Sequence, residues 1–314
     1  MQKVMEQNRK VSLEATYKSK DTEEWFDIKF NRPIGYAWAL LFNRLGIHPN
    51  IVTIISIVLG VFSAFCFYHT TLDWNILGIV VLVVANTLDS ADGQLARMTG
   101  KKTLWGRLLD GFAGDIWFFT IYFCIGLRMM PQPMPFGIDA NWGVWIWILM
   151  FFSGIISHKD QTGLADYYRN IYLMFKKDKS ELNNSKELSA EQRSTPWRKW
   201  FWKIWLFFYQ RYTIRQERCT PQFQQYMQAL ESKYGNNIPQ QIGDEFCRKT
   251  FHLLKWTNIL TFNTRAAVMF VSFLVDMPWI YFLFELTVLN VIYFYMKFTH
   301  ENVCQTMRKE IENE

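Results

Sequence analysis

The chain has 314 residues, 50% hydrophobic and 18% aromatic, with a formal net charge of +6. That length suits one large domain or two small ones. Five scattered cysteines, Cys66, Cys124, Cys219, Cys247 and Cys304, make no CxxC pair, so neither a zinc site nor a disulfide framework is indicated.

A mean hydropathy near zero hides strong segregation along the chain. The first 31 residues are polar and lack an apolar core, which excludes a signal peptide and predicts a cytosolic tail. "RPIGYAWALLFNRLG", at 32–46, is short and amphipathic and reads as a helix lying in the membrane interface. Apolar runs near 51–69, 75–96, 104–128, 142–157, 259–276 and 279–298 then read as six spans. Backbone groups in lipid must be satisfied within the segment, so the expected fold class is an all-α integral membrane protein. Trp and Tyr cluster near several span ends, as interfacial belts do.

Lys and Arg set the expected topology. They populate the N-terminal tail, the 97–103 turn, the 158–256 segment and the 299–314 tail, while the 70–74, 129–141 and 276–278 connections have almost none. Six spans with both termini in the cytosol satisfy the positive-inside rule; the membrane would be the inner one if the source is bacterial. The expected organisation is an interfacial helix with spans one to four over 32–157, a helical cytosolic insertion over 158–256, and spans five and six over 257–298. Within the insertion, the Trp/Lys/Arg/Phe mixture at 196–212 reads either as a helix resting on an anionic membrane surface or as one packed on its neighbours.

The chemistry lies in "NTLDSADGQLARMTGKKTLWGRLLDGFAGD", spans two and three with their turn. Asp89 and Asp92 are three apart and occupy adjoining positions on one helical face. Gly93 permits close approach of a ligand. Asp110 lies four residues after Gly106, above a notch without a side chain, and antiparallel neighbours can bring it opposite Asp89 and Asp92. Clustered carboxylates repel one another and need cations; hard oxygen ligands suit Mg²⁺, Mn²⁺ or Ca²⁺, with substrate phosphate completing the shell. Arg97 supplies a planar fork suited to phosphate. The plainer alternative is that the acids pair with Arg97, Lys101, Lys102 and Arg107.

This stretch resembles the CDP-alcohol phosphotransferases, whose motif is D-x2-D-G-x2-A-R-x8-G-x3-D-x3-D. Asp89, Asp92, Gly93, Ala96, Arg97, Gly106 and Asp110 fall at the required places. Pro49, Asn50 and Thr53 are similar to the family's P-N-x-x-T, and most of 160–256 lies outside the resemblance. The resemblance implies two Mg²⁺ or Mn²⁺ ions held by Asp89, Asp92 and Asp110. It places Asn50, Thr53, Gly93, Ala96, Arg97 and Gly106 at the cytidine diphosphate. It implies transfer of a phosphoalcohol, most simply phosphatidyl from CDP-diacylglycerol, to a hydroxyl acceptor with release of CMP. Head-group transfer from a CDP-amino-alcohol to a lipid is the alternative. Family members are commonly homodimers.

The chain departs from the motif at its last acid, the family's general base and a further ligand: Gly114 stands there and Asp115 follows. An extra residue in a π turn, eased by Gly111 and Gly114, would swing Asp115 into place as base and metal ligand. The rivals are a regular helix, a base from elsewhere, or a catalytically silent scaffold.

Two weaker candidates concern the acceptor. Ser157-His158 is faintly similar to a dipeptide of phosphatidylinositol synthases and suggests inositol or inositol phosphate; the plainer reading is a helix-end His with a capping Ser. Arg265, at membrane depth, reads either as an acceptor-phosphate ligand or as the partner of a carboxylate such as Asp166. Asp276 reads as solvated and Glu285 as secondary. A transporter would need paired broken helices, which the sequence lacks. Membrane orientation accounts for the modest positive charge, so nucleic acid is not an expected partner.

Overall fold

The computed structural model describes residues 21–101, 103–177, 182–235 and 237–313. Most of the expected N-terminal tail, and Lys102, lie outside the described residues. The described residues are almost wholly helical. A π-helical turn, Asp27–Asn31, leads into α1 (Arg32–Arg44), α2 (Pro49–Tyr68), α3 (Leu72–Thr99) and α4 (Leu104–Met129). Helix α5 (Gly143–Met150) passes through a π-helical segment, Phe151–His158, into α6 (Lys159–Phe175). Then come α7 (Ser185–Ser194), α8 (Trp200–Cys219), α9 (Pro221–Tyr234), α10 (Gln240–Thr250), α11 (Leu254–Ile259) and α12 (Phe262–Leu274). Helix α13 (Trp279–Phe284) continues through π-helical Glu285–Leu289 into α14 (Asn290–Asn313).

Among the described residues, four helical stretches are long and apolar enough to cross a membrane: Pro49–Tyr68, Leu72–Thr99, Leu108–Met129 and Trp279–Asn313. Helix α12, at 13 residues, rises only about 20 Å, short of a ~30 Å hydrocarbon core.

The chain divides into two compact units. The first holds the described residues up to Gly154 together with Ala267–Phe282; the second holds Ile155–Ala266 and Leu283–Glu314.

In the first unit, α2, α3 and α4 pack through glycines. A Cβ on Gly60 would collide with the Trp117 indole, and one on Gly78 would lie 2.7 Å from the Phe67 ring. Removing those side chains lets the helices close on buried Val52, Leu82, Ala85 and Ile121. Helix α1 docks on α3 in the same way, since a Cβ on Gly35 would lie 3.0 Å from both Ser90 and Gln94. Gln94 Nε2 then donates to the Arg32 carbonyl at 3.1 Å.

A polar knot closes this unit at the Arg128 end of α4. Arg128 is buried and donates to the Phe67 carbonyl at 2.9 Å, Asn75 Oδ1 at 2.8 Å and Asp276 Oδ1 at 2.6 Å. Asn75 in turn donates to the Phe273 carbonyl at 3.0 Å. Asp276 is therefore ion-paired even though its side chain is 63% exposed.

In the second unit, α6 presents Leu164, Tyr168, Ile171 and Phe175 at helical spacing to a core shared with Phe223, Tyr226, Leu230, Phe246, Met296, Cys304 and Met307. Helix α8 buries Leu206, Thr213 and Gln216 on one side and leaves Trp200, Phe201 and Phe208 exposed on the other.

Arg128→Ala should cost on the order of 2–4 kcal/mol, because two buried acceptors, the Phe67 carbonyl and Asn75 Oδ1, lose their donor. Asp276→Asn should cost far less, since its carboxylate is largely hydrated. Thermal unfolding of both variants in detergent checks this contrast.

Candidate metal and nucleotide site

Helix α3 is a long apolar helix whose last three turns turn polar, and its C-cap, Gly100, adopts φ +68° to release the chain. Thr103 caps α4 by accepting from the Gly106 N–H at 2.9 Å. Its hydroxyl also donates to Asn50 Oδ1 at 3.1 Å, and a Cβ on Gly106 would lie 2.7 Å from that oxygen. Gly106 is therefore a close-approach glycine that seats the start of α2 against the start of α4.

This turn brings Asp110 opposite Asp89 and Asp92. One carboxylate oxygen from each lies within 4.8 Å of the other two. Asp89 Oδ1 and Asp92 Oδ2 are buried without a hydrogen-bond partner. Thr53, itself buried, is a hydrogen-bonding neighbour of Asp92. Unpaired carboxylate oxygens in an apolar setting are costly unless a cation meets them. The three acids thus fit a hard divalent cation with oxygen preference.

The acids open onto a cavity of about 240 Å³ lined by Asp89, Gly93, Arg97 and Asp110, and by Asp27, Asn31 and Arg32 from the N-terminal segment. The Arg97 guanidinium lies over Gly93, 3.4 Å from where a Cβ would stand. Its Nε has no hydrogen-bond partner. Arg32 is held by Glu23 at 2.8 Å, and Asn31 donates to Asp27 Oδ1 at 2.6 Å. The cavity is acidic at its floor and basic at two walls, an arrangement suited to a metal-bridged diphosphate. Ala96 is half-buried on α3 beside Arg97.

In the sequence, Asp27 and Asn31 fall in the polar tail and Arg32 at the start of the interfacial helix, and nothing there marks them as cavity lining. Their signal is weak: Asp27 and Asn31 are four apart, on a different face from the aromatic Phe26 and Phe30.

The π turn expected at Asp115 is not present. Helix α4 is a regular α-helix from Leu104 to Met129, with no π turn at 111–115. Five residues of regular helix rotate Asp115 about 140° from Asp110. It is exposed and is not among the acids whose oxygens converge. A Cβ on Gly111 or Gly114 would meet nothing within 4 Å, so no neighbouring group holds the helix out of its regular hydrogen-bond ladder. The π turns occur instead at Asp27–Asn31, Phe151–His158 and Glu285–Leu289.

Two of those segments carry a second buried cluster, wholly within the second unit. Arg265, 0% exposed, pairs with Glu285, also 0% exposed. It also donates to Gln161 Oε1 at 2.6 Å and the Leu260 carbonyl at 3.1 Å, and meets His158 Nδ1 at 3.1 Å. His158 Nδ1 lies 3.1 Å from Glu285 Oε1. The carboxylate that meets Arg265 is thus Glu285, not Asp166. His158 does not end a helix, because the π segment runs directly into α6; Ser157 accepts from Asn290 at 3.1 Å.

Residues 46–158 match the model of the CDP-alcohol phosphatidyltransferase family. Members of this family generally use divalent metals. With its four long apolar helices, the chain is an integral membrane protein. An archaetidylinositol phosphate synthase of Pyrococcus horikoshii is 39% identical over 83 residues, 26% of this chain and 43% of that protein. A bifunctional IPC transferase and DIPP synthase of Aquifex aeolicus is 25% identical over 130 residues, 41% of this chain and 27% of that one. The chain thus spans less than half the length of either relative. No solved structure matches.

Two outcomes are expected from substitution. Asp89→Asn should weaken Mn²⁺ binding by more than the roughly 10–100-fold typical of outer-shell changes, while Asp115→Asn leaves it unchanged; Mn²⁺ titration followed by electron paramagnetic resonance reads both. Glu285→Gln should destabilise by about 3–5 kcal/mol by stranding Arg265, whereas Arg265→Met with Glu285→Leu recovers much of that loss. Thermal unfolding measures the recovery, and failure of turnover to recover with it would give the pair a role beyond stability.

Proposed function

We propose that the protein transfers a phosphoalcohol, most simply phosphatidyl from CDP-diacylglycerol, to a polyol hydroxyl and releases CMP, in phospholipid synthesis. The observation that carries this reading is the convergence of Asp89, Asp92 and Asp110, the first two with unpartnered buried oxygens, beside Arg97 and Gly93. The family match over residues 46–158 supports it. A relative named for archaetidylinositol phosphate synthesis supports inositol or inositol phosphate as acceptor.

Mg²⁺ or Mn²⁺ held by the three acids would supply positive charge to the diphosphate. Arg97 and Arg32 receive phosphate oxygens at the cavity wall, and Gly93 lets the nucleotide approach the α3 backbone. The acceptor oxygen forms a bond to the phosphorus bearing the alcohol, and the bond from that phosphorus to the CMP oxygen breaks. The hydroxyl proton passes to a carboxylate. Asp27 is the lining acid that stands outside the metal-binding group, so we assign it that role in place of Asp115.

A six-span arrangement, with the shorter segments at 142–157 and 259–276 counted beside the four long helices, would put the cavity and both termini on the cytosolic side, where a lipid donor and a polar acceptor can meet. The exposed aromatic side of α8, flanked by Arg198, Lys199 and Arg211, rests on the anionic leaflet in this arrangement. Gly and Ala of α4 allow a close homodimer contact.

A second reading, a nucleotide-binding but catalytically silent homologue, is favoured by one observation: Gly114 occupies the base position and Asp115 is turned away.

An acceptor panel tests both. Protein in detergent with Mn²⁺ and CDP-diacylglycerol should release CMP with inositol or inositol phosphate, and less with serine or glycerol phosphate. Asp27→Asn should lower turnover by about 10²–10⁴-fold, with Asp115→Asn near wild type. Retained CDP binding without CMP release from any donor or acceptor favours the silent homologue; activity only with CDP-ethanolamine and a lipid alcohol overturns the donor assignment.

A further inference from the structure

Near the C-terminus the chain reads H-E-N-V-C, residues 300–304. Positions four apart lie on one helical face, the spacing at which H-E-x-x-H motifs present two zinc ligands. The motif has no CxxC pair, which is why a search for paired cysteines passes over it. His300, Glu301 and Cys304 are buried in the second unit, 2%, 8% and 0% exposed.

Their ligand atoms converge. His300 Nδ1 lies 3.6 Å from Cys304 Sγ and 3.9 Å from Glu301 Oε1, and all three atoms fall within 4.8 Å of one another. A tetrahedral zinc with Zn–N and Zn–S bonds of about 2.0–2.3 Å holds its nitrogen and sulfur ligands about 3.6 Å apart. The Glu301 carboxylate is fixed from its far side, where Oε2 accepts the Gln222 backbone N–H at 2.7 Å in the first turn of α9. Its Oε1 is left buried without a hydrogen-bond partner.

The surroundings repeat the pattern. Tyr168 stacks on the His300 ring with centroids 3.8 Å apart, and Tyr226 packs in the same core. Both tyrosines are buried and neither hydroxyl has a hydrogen-bond partner. A thiol–imidazole hydrogen bond would satisfy Cys304 and Nδ1 alone. It leaves Glu301 Oε1 and both hydroxyls orphaned in an apolar core, where such groups ordinarily indicate an ion or water.

We propose that His300 Nδ1, Glu301 Oε1 and Cys304 Sγ bind one zinc-class divalent ion, with water or a tyrosine hydroxyl in the fourth position. A thiolate–imidazole–carboxylate set selects zinc-class ions and discriminates against Mg²⁺, so this site and the three-aspartate site draw on different metals. Its role is structural. It joins α14 to the N-terminus of α9 and to α6, fastening the cytosolic insertion to the end of the last helix.

Metal analysis of the full-length protein in detergent tests this without reference to activity. After incubation with Zn²⁺ and dialysis against excess Mg²⁺, one zinc per chain should remain. Asp89→Asn should keep that zinc, and Cys304→Ala and His300→Ala should lose it. Co²⁺ loaded in its place should show thiolate-to-cobalt charge transfer that disappears in Cys304→Ser and persists in Cys66→Ala. Wild-type protein that retains no zinc after dialysis overturns the proposal, and that result needs no variant to fold. Zinc retained undiminished in Cys304→Ala/His300→Ala overturns it equally.

Discussion

The first unit depends on one electrostatic constraint: three carboxylates must share a small volume at the end of apolar helices. Like charges at close range repel, and Asp89 and Asp92 also lose hydration. Packing alone does not relieve this. Asp89 and Asp92 retain buried oxygens with no hydrogen-bond partner, although Thr53 and the backbone stand close by. The helices instead invest in geometry. Gly35, Gly60, Gly78 and Gly106 remove side chains at the closest approaches, and apolar burial elsewhere holds the acids together. A cavity walled by Arg32 and Arg97 then offers compensation to whatever anion and cation arrive together.

The Arg128 knot answers the same constraint from the other end. Asp110 and Arg128 lie on α4 separated by about 27 Å of helix. Fixing Arg128 to the Phe67 carbonyl, Asn75 and Asp276 locks the register of α2, α3 and α4 at one end. Rigid helices carry that register to Asp110 at the other end.

What the sequence revealed divides along physical lines. Asp89, Asp92 and Asp110 were legible because their convergence needs only helix geometry and a short turn, both local properties. The apolar runs of α2, α3 and α4 were legible for the same reason. Asp27 was not, because its place in the cavity depends on α1 docking at Gly35 and Gln94, a tertiary event. The pairing of Arg265 with Glu285 joins residues on different helices, so the sequence leaves a carboxylate partner and an acceptor phosphate equally open. The π turn was expected beside Gly111 and Gly114 because glycine permits one. Permission is not a driving force, and α4 stays regular where nothing packs against those glycines.

The π segments that do form suggest what the driving force is. His158 lies in one and Glu285 opens another, and both meet the fully buried Arg265. A wider turn re-aims side chains by a fraction of a helical step, which is the adjustment a multidentate guanidinium demands. Energy lost in the hydrogen-bond ladder is returned by satisfying a charge that would otherwise be stranded at low dielectric. Asp115 has no such counter-charge among the converging groups, so its helix has no reason to widen. At these two segments the irregular backbone thus follows buried charge, whereas the glycines of α4 leave it regular.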